Sequence, residues 1–227
     1  MFERAHHQLI EKLLNCFDVE FLAEANCYFG GGTAIVLALG EYRESVDVDF
    51  LCACKLGYRA LRNTVTQQSL GNLLIKPVKH LREVRCDLYG IRTFLEIDGT
   101  PIKVEFISEG RIELCGAGQA ICGVPTLSTV DMFAEKLLAN TDCGLDKSIF
   151  SRDMIDLAMM IKAWGTIPPI AWSKVRAAYG ASVDRAFRNS ATMLLDRNYL
   201  EHCLRRMRMD PDLLEGIQTA IWSQISA

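Results

Sequence analysis

FGGGTAIVLALGEYRESVDVDF, residues 29–50, is the stretch on which the fold turns. Three consecutive glycines, Gly30, Gly31 and Gly32, precede Thr33 and an apolar segment whose composition predicts a helix over Ala34–Leu39. Gly40 is placed as its C′ residue. Cys27–Phe29 predicts a short strand entering the glycines, which permit backbone angles that a Cβ forbids. A second strand is expected over Val46–Leu51, where Asp47 and Asp49 alternate with Val46, Val48 and Phe50. Side chains two apart on a strand share a face, about 6.6 Å apart along the chain, so the two carboxylates project together. Carboxylates so placed can hold a pair of divalent ions, and a glycine bend before a helix offers free N–H groups and the positive end of a helix dipole to a phosphate. The alternative readings are a solvated edge strand and an ordinary tight turn. The glycines match neither the P-loop nor the dinucleotide fingerprint.

A third acid lies downstream. Phe94–Ile97, Asp98-Gly99 and Ile102–Ile107 form a hairpin signal, because Asp-Gly suits the primed turns that match strand twist. Within it Lys103 and Glu105 alternate with Ile102, Val104 and Phe106, so Glu105 points away from the core face. If that strand lies beside the Asp47 strand, Glu105 completes a metal site or takes a proton from an attacking hydroxyl. An exposed strand glutamate is the plain alternative.

Elsewhere, residues 2–25 carry the apolar spacing of one amphipathic helix, a polar helix is expected over Lys55–Gln68, and short strands over Leu73–Ile75 and Cys86–Ile91. Beyond Pro125 and Ser128 the chain reads as helical: Thr129–Asn140, Arg152–Trp164, one helix entered through Pro168-Pro169, one starting near Ser182, and a last one capped by Asp210 with Pro211 in its first turn. The expected organisation is an α+β domain over residues 1–125 and an α-helical lobe over 126–227.

The chain has 227 residues, 50% of them hydrophobic, which supports a real core. Its 25 Lys+Arg against 28 Asp+Glu mean that any nucleic-acid contact comes from a local patch and not from net charge. One such patch is the stretch 55–87, with Lys55, Arg59, Arg62, Lys76, Lys79, Arg82 and Arg85 against Glu83 and Asp87; His202, Arg205, Arg206 and Arg208 form another. Nine cysteines, an odd number at irregular positions, fit a reducing cytosol and a cytoplasmic protein. The N-terminus does not read as a signal peptide, and no apolar run approaches the roughly 20 residues of a membrane span. Cys52-x-Cys54 lacks zinc-site spacing, and His6 and His7 have no evident ligand partner.

GGGTA, RESVDVDF and the acid in KVEF together resemble the nucleotidyltransferase superfamily to which DNA polymerase beta belongs. The form R-x-S-x-D-x-D-F is similar to that of the AbiEii-type abortive-infection toxins, whose downstream helices supply a lysine and an R-D-x-x-D-L element, here Lys136 in AEKLLAN and Arg152, Asp153 and Asp156 in SRDMIDL. The resemblance, over residues 26–165, implies a nucleotidyltransferase-like mixed sheet flanked by helices. It also implies Mg2+, as two ions, on Asp47, Asp49 and Glu105, and a nucleoside triphosphate (NTP) held by Gly31, Gly32 and Thr33. Lys136 would neutralise triphosphate charge and Asp153 orient it, with Arg43 and Ser45 steering the loop or touching phosphate. The implied reaction passes NMP to an acceptor hydroxyl, an RNA end such as a tRNA 3′ end, and the implied partner is a cognate antitoxin. Transfer to a protein or small molecule, a non-catalytic nucleotide-binding module, and an interaction protein are the rival readings.

Overall fold

The computed structural model describes residues 2–225. Contacts divide the chain into two compact units, Met1–Ala38 with Ser45–Ser128, and Leu39–Glu44 with Thr129–Ala227.

The first unit is α+β. Its elements are α1 (Ala5–Leu14), α2 (Val19–Glu24), β1 (Cys27–Gly30), α3 (Gly31–Ala38), β2 (Val48–Cys52), α4 (Lys55–Thr64), β3 (Lys79–His80), β4 (Arg85–Cys86), β5 (Gly90–Ile97) and β6 (Thr100–Ser108). The strands form one sheet in the order β1-β2-β6-β5-β3, with β4 also on β5. It is mixed, because β2 and β6 run parallel while β1–β2 and β5–β6 are antiparallel. The β5–β6 hairpin closes through Asp98 and Gly99, both at positive φ (49° and 78°), as the Asp-Gly pair predicts.

Alternation decides the two faces. Phe50 and Phe106 are register partners and stack at 5.0 Å between ring centroids. Phe17 and Phe29 pack against Phe50 at 5.1 and 5.8 Å, and all four rings are fully buried. Asp49 and Glu105, one residue earlier on each strand, are therefore partners on the opposite face.

Five expectations are corrected. The single helix over 2–25 is broken into α1 and α2, because Phe17 turns into the core and Asp18 caps α2 by accepting from the Phe21 N–H at 2.9 Å. β2 starts at Val48, and Val46 is 46% exposed, its carbonyl bound by the His6 ring and not by a strand. The strand expected over Leu73–Ile75 is replaced by the end of a 3-10 turn over Gly71–Leu73 and an isolated bridge from Leu74 to Phe17, and Cys86–Ile91 is split by a turn between β4 and β5. α4 ends at Thr64, whose hydroxyl accepts from the Asn72 N–H.

The second unit is helical: α5 (Thr129–Cys143), α6 (Arg152–Trp164), α7 (Pro169–Tyr179), α8 (Ser182–Leu195), α9 (Arg197–Arg206) and α10 (Leu214–Ile225). α7 opens on Pro169, whose missing N–H costs nothing in the first turn. The α8–α9 break, not foreseen, falls at Asp196, which ends one helix and caps the next through the Tyr199 N–H. Edge-to-face pairs Phe133–Trp164 and Trp172–Phe187 anchor its core. No described helix is long and apolar enough to cross a membrane.

Candidate active site

β1 runs directly into α3, and the change of direction is made at Gly31, with φ +66°. A Cβ built there would lie 2.6 Å from Oδ2 of Asp49. The glycine is thus fixed twice: by a left-handed backbone and by a carboxylate resting on its α-carbon. Gly30 is the register partner of Asp49 across β1–β2, so the acid sits where the first amides of α3 emerge. Those amides have no partner inside the helix and carry partial positive charge toward Asp49.

The segment before β2 is pinned from three sides. The Thr33 hydroxyl, on a side chain 1% exposed, lies 2.8 Å from Ser45 Oγ and donates to the Asp47 carbonyl at 2.5 Å. His7 Nε2 accepts from the Ser45 N–H at 3.1 Å, and His6 Nε2 donates to the Val46 carbonyl at 3.1 Å. Asp47 is consequently held just before the ladder, two residues ahead of Asp49, although it lies outside the strand. Thr33, expected at the phosphates, and Ser45, expected to steer the loop or touch phosphate, spend their hydroxyls on this segment. His6 and His7 were missed, since a contact across some forty residues leaves no local signal.

Glu105 lies beside Asp49 on β6, about 4.8 Å away in strand spacing. Both its oxygens are occupied. Oε1 accepts from Arg92 Nε at 2.9 Å, and Oε2 from the Lys103 ammonium. Lys103 also lies in the field of Asp47 and Asp49: burial works against its charge, but the bond to Glu105 and the three carboxylates hold its pKa above the ordinary lysine value. Among the described residues no three His, Cys, Asp or Glu side chains are arranged to hold one metal ion. The oxygen donors of Asp47 and Asp49 suit a hard divalent cation. Glu105, expected as a third ligand or as a proton acceptor, is engaged by two cations. Lys103 was legible, since residues two apart on a strand share a face; Arg92, the cross-strand partner of Glu105, required the register.

The other expected residues form a separate buried cluster within the helical unit. Asp156, fully buried, receives Nε and Nη2 of Arg43 at 2.7 Å each, the Tyr42 hydroxyl at 2.6 Å and Lys136 Nζ at 2.8 Å. Lys136 also reaches Asp153 Oδ1 at 2.7 Å. Two cations and two anions balance. Desolvation favours protonation of Asp156, but Arg43 and Lys136 outweigh it and hold the carboxyl well below the usual range. Burial and the Asp156 charge push the Tyr42 hydroxyl up, so it remains a donor. Arg43, expected to steer the loop or touch phosphate, is paired with Asp156, with Nη1 on the Glu44 carbonyl at 3.0 Å. Asp153 and Asp156, three apart on α6, both face Lys136, as helical spacing requires.

Gly31→Ala is expected to lower turnover by roughly 10²-fold, because displacing Asp49 by an ångström misplaces the reacting geometry. The control is Gly40→Ala, which has a similar positive φ (+77°) but nothing within 4 Å of the added carbon. Matched thermal melts with a turnover loss in the first variant alone would separate displacement from backbone strain.

A family model described as nucleotidyl transferase AbiEii toxin, type IV TA system, matches residues 12–221. No curated protein matches the chain. Two solved structures from Helicobacter pylori are similar to it. One, described as a candidate nucleotidyltransferase, is 15% identical over 96% of this chain and 92% of its own, with a TM-score of 0.42. The other, JHP933, is 16% identical over 100% of this chain and 97% of its own, with a TM-score of 0.42.

Proposed function

Because the chain belongs to the nucleotidyl transferase AbiEii toxin family of type IV toxin–antitoxin systems, with a nucleotide substrate and a cognate antitoxin implied, we propose that it transfers NMP from an NTP to the terminal hydroxyl of an RNA, a tRNA 3′ end being the first acceptor to test. The acceptor hydroxyl gives up its proton to solvent, its oxygen bonds to the α-phosphorus, the bond to the oxygen bridging to the β-phosphate breaks, and pyrophosphate leaves. The observation that carries this reading is the placement of Asp49 on the α-carbon of Gly31 and beside Glu105, with Asp47 pinned just upstream.

Asp47 and Asp49 would hold divalent metal; when bound, it offsets phosphate charge and favours the acceptor alkoxide. The backbone of Gly31 and Gly32 opens α3 and presents its unpaired N–H groups to phosphate oxygens. Glu105 keeps Lys103 and Arg92 in place, so that positive charge stands next to the acids where a polyanionic substrate is to be received. Lys136 and Asp153, ion-paired in the helical unit, remain proposed site residues on the family resemblance alone, the ammonium to counter triphosphate charge and the carboxylate to orient that ammonium.

The test is incubation of the purified protein with each α-labelled NTP, Mg2+ and separate pools of RNA and protein. Label is expected in RNA, dependent on Mg2+ and lost on chelation. Label in protein alone, or none in any pool, would remove the RNA proposal.

A further inference from the structure

Outside the acid cluster, one part of the sheet unit combines unpaired positive charge with exposed apolar side chains. Lys55, Arg59 and Arg62 stand at i, i+4 and i+7 on α4, so they share one face, and all three are exposed on a helix with no acidic residue. Arg85 on β4 is also exposed and is the register partner of Arg92. None of Arg59, Arg62 and Arg85 makes an ion pair among the described residues. Glu83 and Asp87 are the nearby acids in sequence, and Asp87 is already paired with Arg92 at 3.3 Å.

The turn between β4 and β5 is stiff yet apolar at its tip. Asp87 Oδ1 accepts from the N–H groups of Tyr89 and Gly90 at 2.7 and 2.9 Å, and the Asp87 N–H bonds the Gly90 carbonyl at 3.0 Å. Those bonds hold Leu88 and Tyr89 out in solvent, 71% and 74% exposed. Two contacts locate the tip. The Tyr58 hydroxyl donates to the Asp87 carbonyl at 2.8 Å, fastening the turn to α4, and Arg62 and Arg92 both lie within electrostatic reach of that phenol. Arg92 then bridges Asp87 to Glu105, so one guanidinium spans from the turn to the acid face.

We propose that α4 and the Asp87–Gly90 turn form a docking face for the end of a single-stranded nucleic acid, with phosphates on Arg59, Arg62 and Arg85 and a base stacked on Tyr89. A rigid exposed tyrosine gives a base a flat apolar partner at little entropic cost, and unpaired arginines supply the sequence-independent attraction. A protein partner of acidic surface would use the arginines equally, but has no need of a lone aromatic ring held 74% exposed at the turn. The proposal rests on the transfer reading only for its direction, the acceptor end lying toward Glu105.

The test is anisotropy of a short fluorescein-labelled single-stranded RNA with the full chain at several salt concentrations. Tyr89→Ala is expected to weaken binding by about 5- to 150-fold, the range of base–aromatic stacking, with Tyr89→Phe close to wild type. Arg62→Ala with Arg85→Ala should flatten the salt dependence by roughly 0.7 in log–log slope per lost phosphate contact. Melting temperature and binding of Mg–nucleotide should stay unchanged in every variant. Equal affinities across the set, no RNA binding by the wild type, or equal competition by a blunt RNA duplex would overturn the assignment. A wild-type protein that transfers nucleotide to RNA but shows one of those results defeats this inference alone. Binding with the expected losses but no transfer defeats the catalytic reading alone.

Discussion

An Asp49→Asn variant is expected to lose nucleotide transfer by on the order of 10³-fold or more, the scale of removing a charge aimed at the reacting phosphate in a preorganised site. The substitution keeps shape, so the carboxamide still fits over Gly31, where Oδ2 of Asp49 leaves no room for a larger group. What it removes is the negative charge. Asp47→Asn should match it, since both acids are the proposed metal donors. Glu105→Gln should cost less, about 10- to 100-fold, the usual effect of a group that orients others, because both Glu105 oxygens already serve Arg92 and Lys103. The check is initial rates across Mg2+ concentration, with Mn2+ binding followed independently by paramagnetic resonance. Equal losses in all three variants would return Glu105 to the metal; an Asp49→Asn protein that turns over normally would end the assignment of Asp49.

The difference between Asp49 and Glu105 also marks how far the sequence could be read. The two strands, their alternation and the Asp-Gly turn were legible, because period-2 patterning and turn chemistry are local. So was the common face of Asp49 and Glu105, once their strands were taken to be neighbours. The surroundings of each acid were not legible. Arg92 reaches Glu105 through the antiparallel register of β5 on β6, and His6 and His7 reach the Ser45–Val46 segment from α1. Arg43 shows the limit most clearly: it stands two residues from Ser45, yet by contacts it belongs with the helices. The family resemblance linked it to the loop or to phosphate, whereas burial forced it to find a carboxylate, and Asp156 offered both oxygens. The break at Phe17 has the same origin: one ring gained more from the aromatic core than a continuous helix would have gained from its own periodicity.

Asp156→Asn should be the most destabilising of the substitutions considered, by about 3–5 kcal/mol, or roughly 6–20 °C in melting temperature for a chain of this size. The wild-type cluster is balanced, with Arg43 and Lys136 facing Asp153 and Asp156. Asparagine leaves two buried cations with one anion and removes the bidentate acceptor of Arg43. If charge balance is the cause, Arg43→Met combined with Asp156→Leu should be less destabilised than Asp156→Asn, because Lys136 and Asp153 then remain as a neutral pair. The pH dependence follows from the same residue. Its folded pKa is depressed relative to the ordinary 3.8, so its contribution to stability is fully present above that value and is lost as pH falls below it toward the folded pKa. Melting temperature should therefore carry no Asp156-dependent slope from neutral pH down to about pH 5, and a downward one below about pH 4 that the asparagine variant lacks. Parallel acid slopes in the two proteins would mean that another carboxylate governs acid unfolding, and a double variant no more stable than Asp156→Asn would show that geometry, not charge balance, holds these helices to Leu39–Glu44.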